Sequence, residues 1–228
     1  MMRKHASIPA EWWADFLLNQ YSRSRRLGYL LSGVVLVLLP VFTILDATLV
    51  SYSNGELIWK HILLRLPAAI LATTFLLLHH KKSPDFWAYP LLLTLNLSIV
   101  GMMAAMFVLH YSEQGGHLLY ITQGLTLAII AVATATVYGV RDLVLIYGLP
   151  FMAVIAFIVF SGSPVPDNPI HLIFIPAAMG IGLVIATMLY QEHRRTFIAS
   201  QQLEHSALTD ALTGLANRRS MQTNLQAE

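Results

Sequence analysis

Four histidines, His61, His110, His117 and His171, stand beside long apolar runs, with Glu56 and Glu113 near them. Imidazole and carboxylate suit zinc, copper or nickel, two facing histidines can grip a haem between helices, and an imidazole titrating near ~6.5 can report pH. The spacings select none of these, and an isolated histidine at a membrane interface needs no ligand at all. Asp46 and Arg65 carry the charge in the same neighbourhood. Arg65 follows His61 by one helical turn and so shares its stripe, while Asp46 can reach either. An Asp46–Arg65 ion pair just beneath a membrane surface would open or close a pocket; an Arg65 that merely snorkels to the interface would not. Asn96 and Gln123 can bond across helices, each such bond contributing ~0.6–2 kcal/mol. Beside the methionines of "IVGMMAAMFVL" they could instead orient a mostly apolar ligand.

The elements that hold these residues follow from composition. Of 228 residues, 56% are hydrophobic and 11% charged, against about 25% charged in a soluble domain. Such a chain cannot cover a globular surface. Its apolar runs match a ~30 Å hydrocarbon core at ~1.5 Å per helical residue, so the sequence predicts an all-α polytopic membrane protein. Six spans are expected, at about 27–49, 58–78, 86–109, 118–138, 143–160 and 170–190. Small residues at four-residue spacing, Ala131 with Ala135 and Ala178 with Gly182, would let helices approach closely.

Arg23, Arg25 and Arg26 precede the first span, Lys81 and Lys82 lie between the second and third, Arg141 between the fourth and fifth, and Arg194 and Arg195 after the sixth. The opposite connections, 50–57, 110–117 and 161–169, hold no Lys or Arg, and only Lys60 sits near that face. The positive-inside rule therefore predicts cytoplasmic termini. Within residues 1–26, "IPAEWWADFLLNQY" predicts a separate helix lying at the inner headgroup layer, anchored by Trp12 and Trp13. The first apolar run starts too late for a cleaved signal peptide. The absence of cysteine excludes a disulfide framework, and a net charge of +2 argues against nucleic-acid binding.

After the sixth span, residues 191–209 are free of Gly and Pro and predict a linker helix leaving the bilayer. Ile198, Gln201, His205 and Leu208 follow the spacing of a coiled-coil seam, a weak one with two apolar members. Beyond it, Asp210, Leu212, Thr213, Gly214, Leu215, Asn217, Arg218 and Arg219 stand in the order D-x-L-T-G-L-x-N-R-R. Gly214 suits a chain reversal and Asn217 a helix N-cap. This stretch resembles the start of the GGDEF domain of diguanylate cyclases. The resemblance covers about the last 20 residues and implies that 210–228 opens a domain whose catalytic core lies further along.

On that reading no residue here is catalytic, and Ile198, His205, Leu208, Asp210, Asn217 and Arg218 serve coupling. The Mg²⁺ and GTP sites would belong to the missing domain. The six-span region, 27–190, resembles more loosely the membrane-associated sensor (MASE-type) regions upstream of such cyclases, and the six-helix sensors of quorum-sensing kinases that bind small apolar autoinducers. The resemblance implies a homodimer in a bacterial inner membrane that controls cyclic di-GMP synthesis in response to a small-molecule signal. A small transporter or channel and a structural membrane anchor are the alternative functions.

Overall fold

The computed structural model describes residues 8–49, 56–79, 85–112, 118–162 and 170–208. Six α-helices fill them: α1 (Trp13–Leu49), α2 (Glu56–His79), α3 (Ala88–Ser112), α4 (Leu118–Thr134), α5 (Val140–Ser161) and α6 (Ile170–Leu208), with single 3₁₀ turns at Ala10–Trp12 and Asp85–Trp87. Among the described residues there is no strand. Five helices are long and apolar enough to cross a membrane, and α4 is a shorter apolar helix. The architecture is that of a helical membrane protein, its exposed surface studded with Leu30, Val37, Leu77, Leu149, Val159 and Ile173. Lipid tails can cover such a surface; water cannot.

The sequence separates an interfacial helix from the first span, but the structure joins them. From Trp13 to Leu39 no proline interrupts α1, and Arg23, Arg25 and Arg26 are good helix formers. At ~1.5 Å per residue the 37-residue α1 is about 55 Å long, so some 25 Å of it projects beyond a ~30 Å hydrocarbon layer. The 39-residue α6 projects likewise. Both projections lie at the end of the bundle carrying Arg23, Arg141 and Arg194, here termed the basic face; the other end is the histidine face.

Helix α3 lies at the centre, packed by α1, α2, α4 and α5, while α6 packs chiefly on α4. Small residues set the closest approaches. Gly28 leaves the space that the Phe75 ring occupies, and Gly182 admits the Tyr147 hydroxyl beside Ala133. Tyr147 in turn donates to the Ile129 carbonyl at 2.7 Å. Of the small pairs read in the sequence, Ala178 is buried with Gly182 nearby, whereas Ala131 faces outward and Ala135 inward.

The α4–α5 connection differs from expectation. α4 ends at Thr134 and α5 begins at Val140, so the turn falls at 135–139, several residues before the expected gap at 139–142. Asp142 is the cause: its Oδ2 accepts from the Val137 and Tyr138 amides at 2.8 and 2.9 Å, and its Oδ1 from the Tyr89 hydroxyl at 2.9 Å. Gly139 takes φ +63° within the turn and sits against α6; a Cβ there would lie 3.1 Å from that of Tyr190.

Candidate functional site

At the histidine face, three helices bring five polar side chains together inside the apolar bundle. α1 supplies Thr43 and Asp46 one turn apart, α2 supplies His61 and Arg65 one turn apart, and α3 supplies His110 from its last two turns. The i, i+3 and i, i+4 spacings place each pair on one helix face. The Asp46 carboxylate is the hinge of the cluster. Its Oδ2 accepts from Arg65 Nη2 at 2.5 Å and pairs with His61 Nδ1 at 2.8 Å. Arg65 Nη1 donates to the Thr43 hydroxyl at 2.9 Å. On the far side of the ring, His61 Nε2 meets His110 Nε2 at 2.9 Å.

His61 and His110 are each 1% exposed and Arg65 7%. The ion pair expected for Asp46 and Arg65 is therefore present, and the carboxylate reaches both of the residues that the sequence put within its range, His61 as well as Arg65. Arg65 does not snorkel away from the bundle; its guanidinium is held at both terminal nitrogens, Nη1 and Nη2. Beside it, an apolar groove of about 360 Å³ runs between α1 and α2, walled by Leu39, Pro40, Ile44, Ile62 and Leu66 and ended by Thr43 and Arg65.

The histidine pair does not fit a haem or a metal ion as it stands. A porphyrin cannot enter between nitrogens 2.9 Å apart. That spacing is a hydrogen bond, shorter than two ~2.0 Å metal bonds at a tetrahedral angle allow. Asp46 binds the opposite nitrogen of His61 and cannot share a metal with Nε2. Among the described residues no three His, Asp or Glu side chains are placed to hold a metal. His117 lies outside the described residues, and His171 is on α6 with its side chain outside them.

The other expected residues scatter. Asn96 is buried nearer the basic face, its Nδ2 donating at 3.4 Å to the Ala135 carbonyl at the end of α4. This fits helix-to-helix bonding. Gln123 is exposed on α4, so the two amides do not share a cavity. On α6, Ile198 is half-buried and His205 exposed, while the Leu208 side chain and all of Asp210, Asn217 and Arg218 lie outside the described residues.

A second constellation occupies the basic face, where the projections of α1 and α6 meet. Phe16, fully buried, lies edge-on to Phe197 with ring centroids 5.2 Å apart and tilted to His193 at 6.2 Å, with Trp13 at 5.6 Å behind it. A hollow of about 530 Å³, lined by Asp15, Asn19, Gln201, Glu204 and His205, continues the seam. Burial, aided by the charges of Arg23 and Arg26, lowers the His193 pKa to about 4, so the ring is neutral where it meets Phe16. Burial also lowers the pKa of Arg23, with Asp142 opposing. The signal for this seam was present in the sequence as the aromatics Trp13 and Phe16 within "IPAEWWADFLLNQY", but that stretch was read as lying against the headgroup layer.

Comparison with protein-family models, with curated proteins and with solved structures finds no match to the chain.

Proposed function

We propose that this chain is the membrane-embedded regulatory region of a diguanylate cyclase, governing cyclic di-GMP synthesis from GTP in a cytoplasmic domain that follows it. The observation that carries the reading is α6, one uninterrupted helix from the histidine face to Leu208, which leads straight into the segment Asp210–Arg219 that resembles the start of a GGDEF domain. A rigid rod transmits displacement; a flexible tether does not. The buried cluster of Asp46, His61, Arg65 and His110 is the place where a signal would act, because ionisable groups within a bilayer are costly and are kept where they have a task. For regulation, the signal must bind two arrangements of the bundle unequally and so shift α6. In this reading both termini are cytoplasmic, the membrane is a bacterial inner membrane, and the working unit is a homodimer that brings two catalytic domains together.

The test joins residues 1–228 in frame to the catalytic remainder of a diguanylate cyclase and measures cellular cyclic di-GMP. Output should change when Asp46 is replaced by Asn, since that replacement removes the charge that Arg65 neutralises. An output equal to that of the free catalytic domain, and indifferent to the replacement, would reduce the region to an anchor. The transporter reading draws on the same buried chain of ionisable groups; solute or proton flux through proteoliposomes containing this chain would favour it instead.

A further inference from the structure

At the basic face, Gln20 is 1% exposed, yet neither its amide oxygen nor its amide nitrogen meets a hydrogen-bonding group among the described residues, and the same holds for Arg23 Nη1 and His193 Nε2. A buried donor or acceptor left unpaired costs about 1–3 kcal/mol. Three such side chains in one place call for a common partner. Phe16, Gln20 and Arg23 follow at i, i+4 and i+7 and so share one stripe of α1. Phe16 meets the His193 ring at 6.2 Å, and Arg23 and Arg26 are the charges that act on that ring. The unpaired atoms of α1 and α6 therefore belong to one seam, on the membrane side of the Phe16–Phe197 contact. Asp142, whose charge reaches Arg23, has its oxygens taken up by two amides and the Tyr89 hydroxyl.

The chemistry of these atoms selects the ligand. Arg23 Nη1 and Gln20 Nε2 can only donate, and a neutral imidazole can present a hydrogen at Nε2; three donors, one of them charged, suit the oxygens of a phosphate. Gln20 Oε1 is an acceptor and suits a hydroxyl beside that phosphate. Depth selects the source. The apolar run of α1 begins at Leu27 and that of α6 ends near Tyr190, which puts Arg23 and His193 about 5 Å beyond the hydrocarbon edge, at the level of lipid head groups. We propose that Gln20, Arg23 and His193 bind the phosphate of one anionic membrane lipid, with a glycerol-type head group whose hydroxyl reaches Gln20. Basic pockets between membrane helices hold anionic head groups in this way. Arg23, half-buried, is the entrance, and the exposed Arg26 and Arg141 add attraction on the same face. The bound head group ties α1 to α6 where their projections leave the bilayer. Binding needs only a bilayer, whether or not the chain governs a cyclase.

The experiment frees the full chain of lipid in detergent, offers it phosphatidylglycerol and phosphatidylcholine in equal amounts, and reads the bound species by native mass spectrometry. One phosphatidylglycerol should be retained in preference to phosphatidylcholine. Arg23→Gln removes a charge-assisted hydrogen bond and should weaken that retention about tenfold; Gln20→Leu should weaken it as well. Arg195→Gln removes the same charge from an exposed side chain of α6 at a similar level and should leave it unchanged. Equal retention of the two lipids, or equal losses in Arg23→Gln and Arg195→Gln, would reduce the site to the diffuse attraction of a basic face and overturn it. Inorganic phosphate added to the lipid-free protein and followed by phosphorus NMR separates the sources: saturable, Arg23-dependent binding of it without any lipid preference overturns the lipid assignment. Should Gln20→Leu fail to fold, the lipid preference of the unmodified protein and the contrast between the two arginine variants still decide.

Discussion

Arg65 is held by Asp46 on one nitrogen and Thr43 on another, and its removal leaves the Asp46 carboxylate in the bundle beside His61 without the guanidinium. Breaking a buried pair on one side costs about 3–5 kcal/mol, whereas removing both charges together is often near neutral. Arg65→Met should therefore lower stability by about that amount in a denaturant titration, and Asp46→Asn combined with Arg65→Met should recover most of it. Equal losses in the single and double variants would show that the pair does not act as a unit. At the other face, Asp142→Ala strands two amides and the Tyr89 hydroxyl; at ~1–3 kcal/mol for each unsatisfied buried group, thermal unfolding should show a loss no smaller than one such group. Asp46, His61 and Arg65 were legible in the sequence because charge within an apolar run is conspicuous. Asp142 was not, since it sits beside Arg141 in what reads as a loop, and its partners are backbone groups and a tyrosine 53 positions away.

The six helices were legible from apolar run length, and their ends less so. The single long α1 escaped notice because its first turns alternate apolar and charged residues as an interfacial helix would; only its packing on α6 shows where Phe16 points. That packing makes α1 a link between faces: Asp46 near one end and Phe16 near the other are separated by 30 residues of one helix, about 45 Å. Phe16→Ala removes the ring that fills the seam and should free the α6 projection. Spin labels at the exposed positions Leu18 and Leu203 would report a longer, broader distance distribution. Acid should do the same without any substitution. The folded His193 pKa of about 4 lies below the ordinary ~6.5, so the open form binds the proton more readily, and closure weakens as pH falls from about 6.5 toward 4. His193→Phe should abolish that pH response; a distribution that stays narrow throughout would show that the seam is held elsewhere.

For the molecule as a whole, the decisive quantity is parity. Five helices satisfy the length and hydropathy of a span and α4 does not; at 17 residues it measures about 26 Å against a ~30 Å core. Yet α4 begins close in sequence to the end of α3 at the histidine face and ends at the turn where Asp142 and Gly139 bind it to α3, α5 and α6. A helix that starts at one face of the bundle and finishes at the other has the reach to cross, and the five-residue connection 135–139 adds length. Six crossings would send the α1 and α6 projections out by the same face, in keeping with their Phe16–Phe197 contact. Reporter fusions should therefore agree at positions 82, 141 and 208 and give the opposite sign at 53, 115 and 165, with the Lys- and Arg-bearing set cytoplasmic. If α4 did not cross, the fusions at 141 and 208 would disagree with that at 82, and the seam between α1 and α6 could not exist in a membrane.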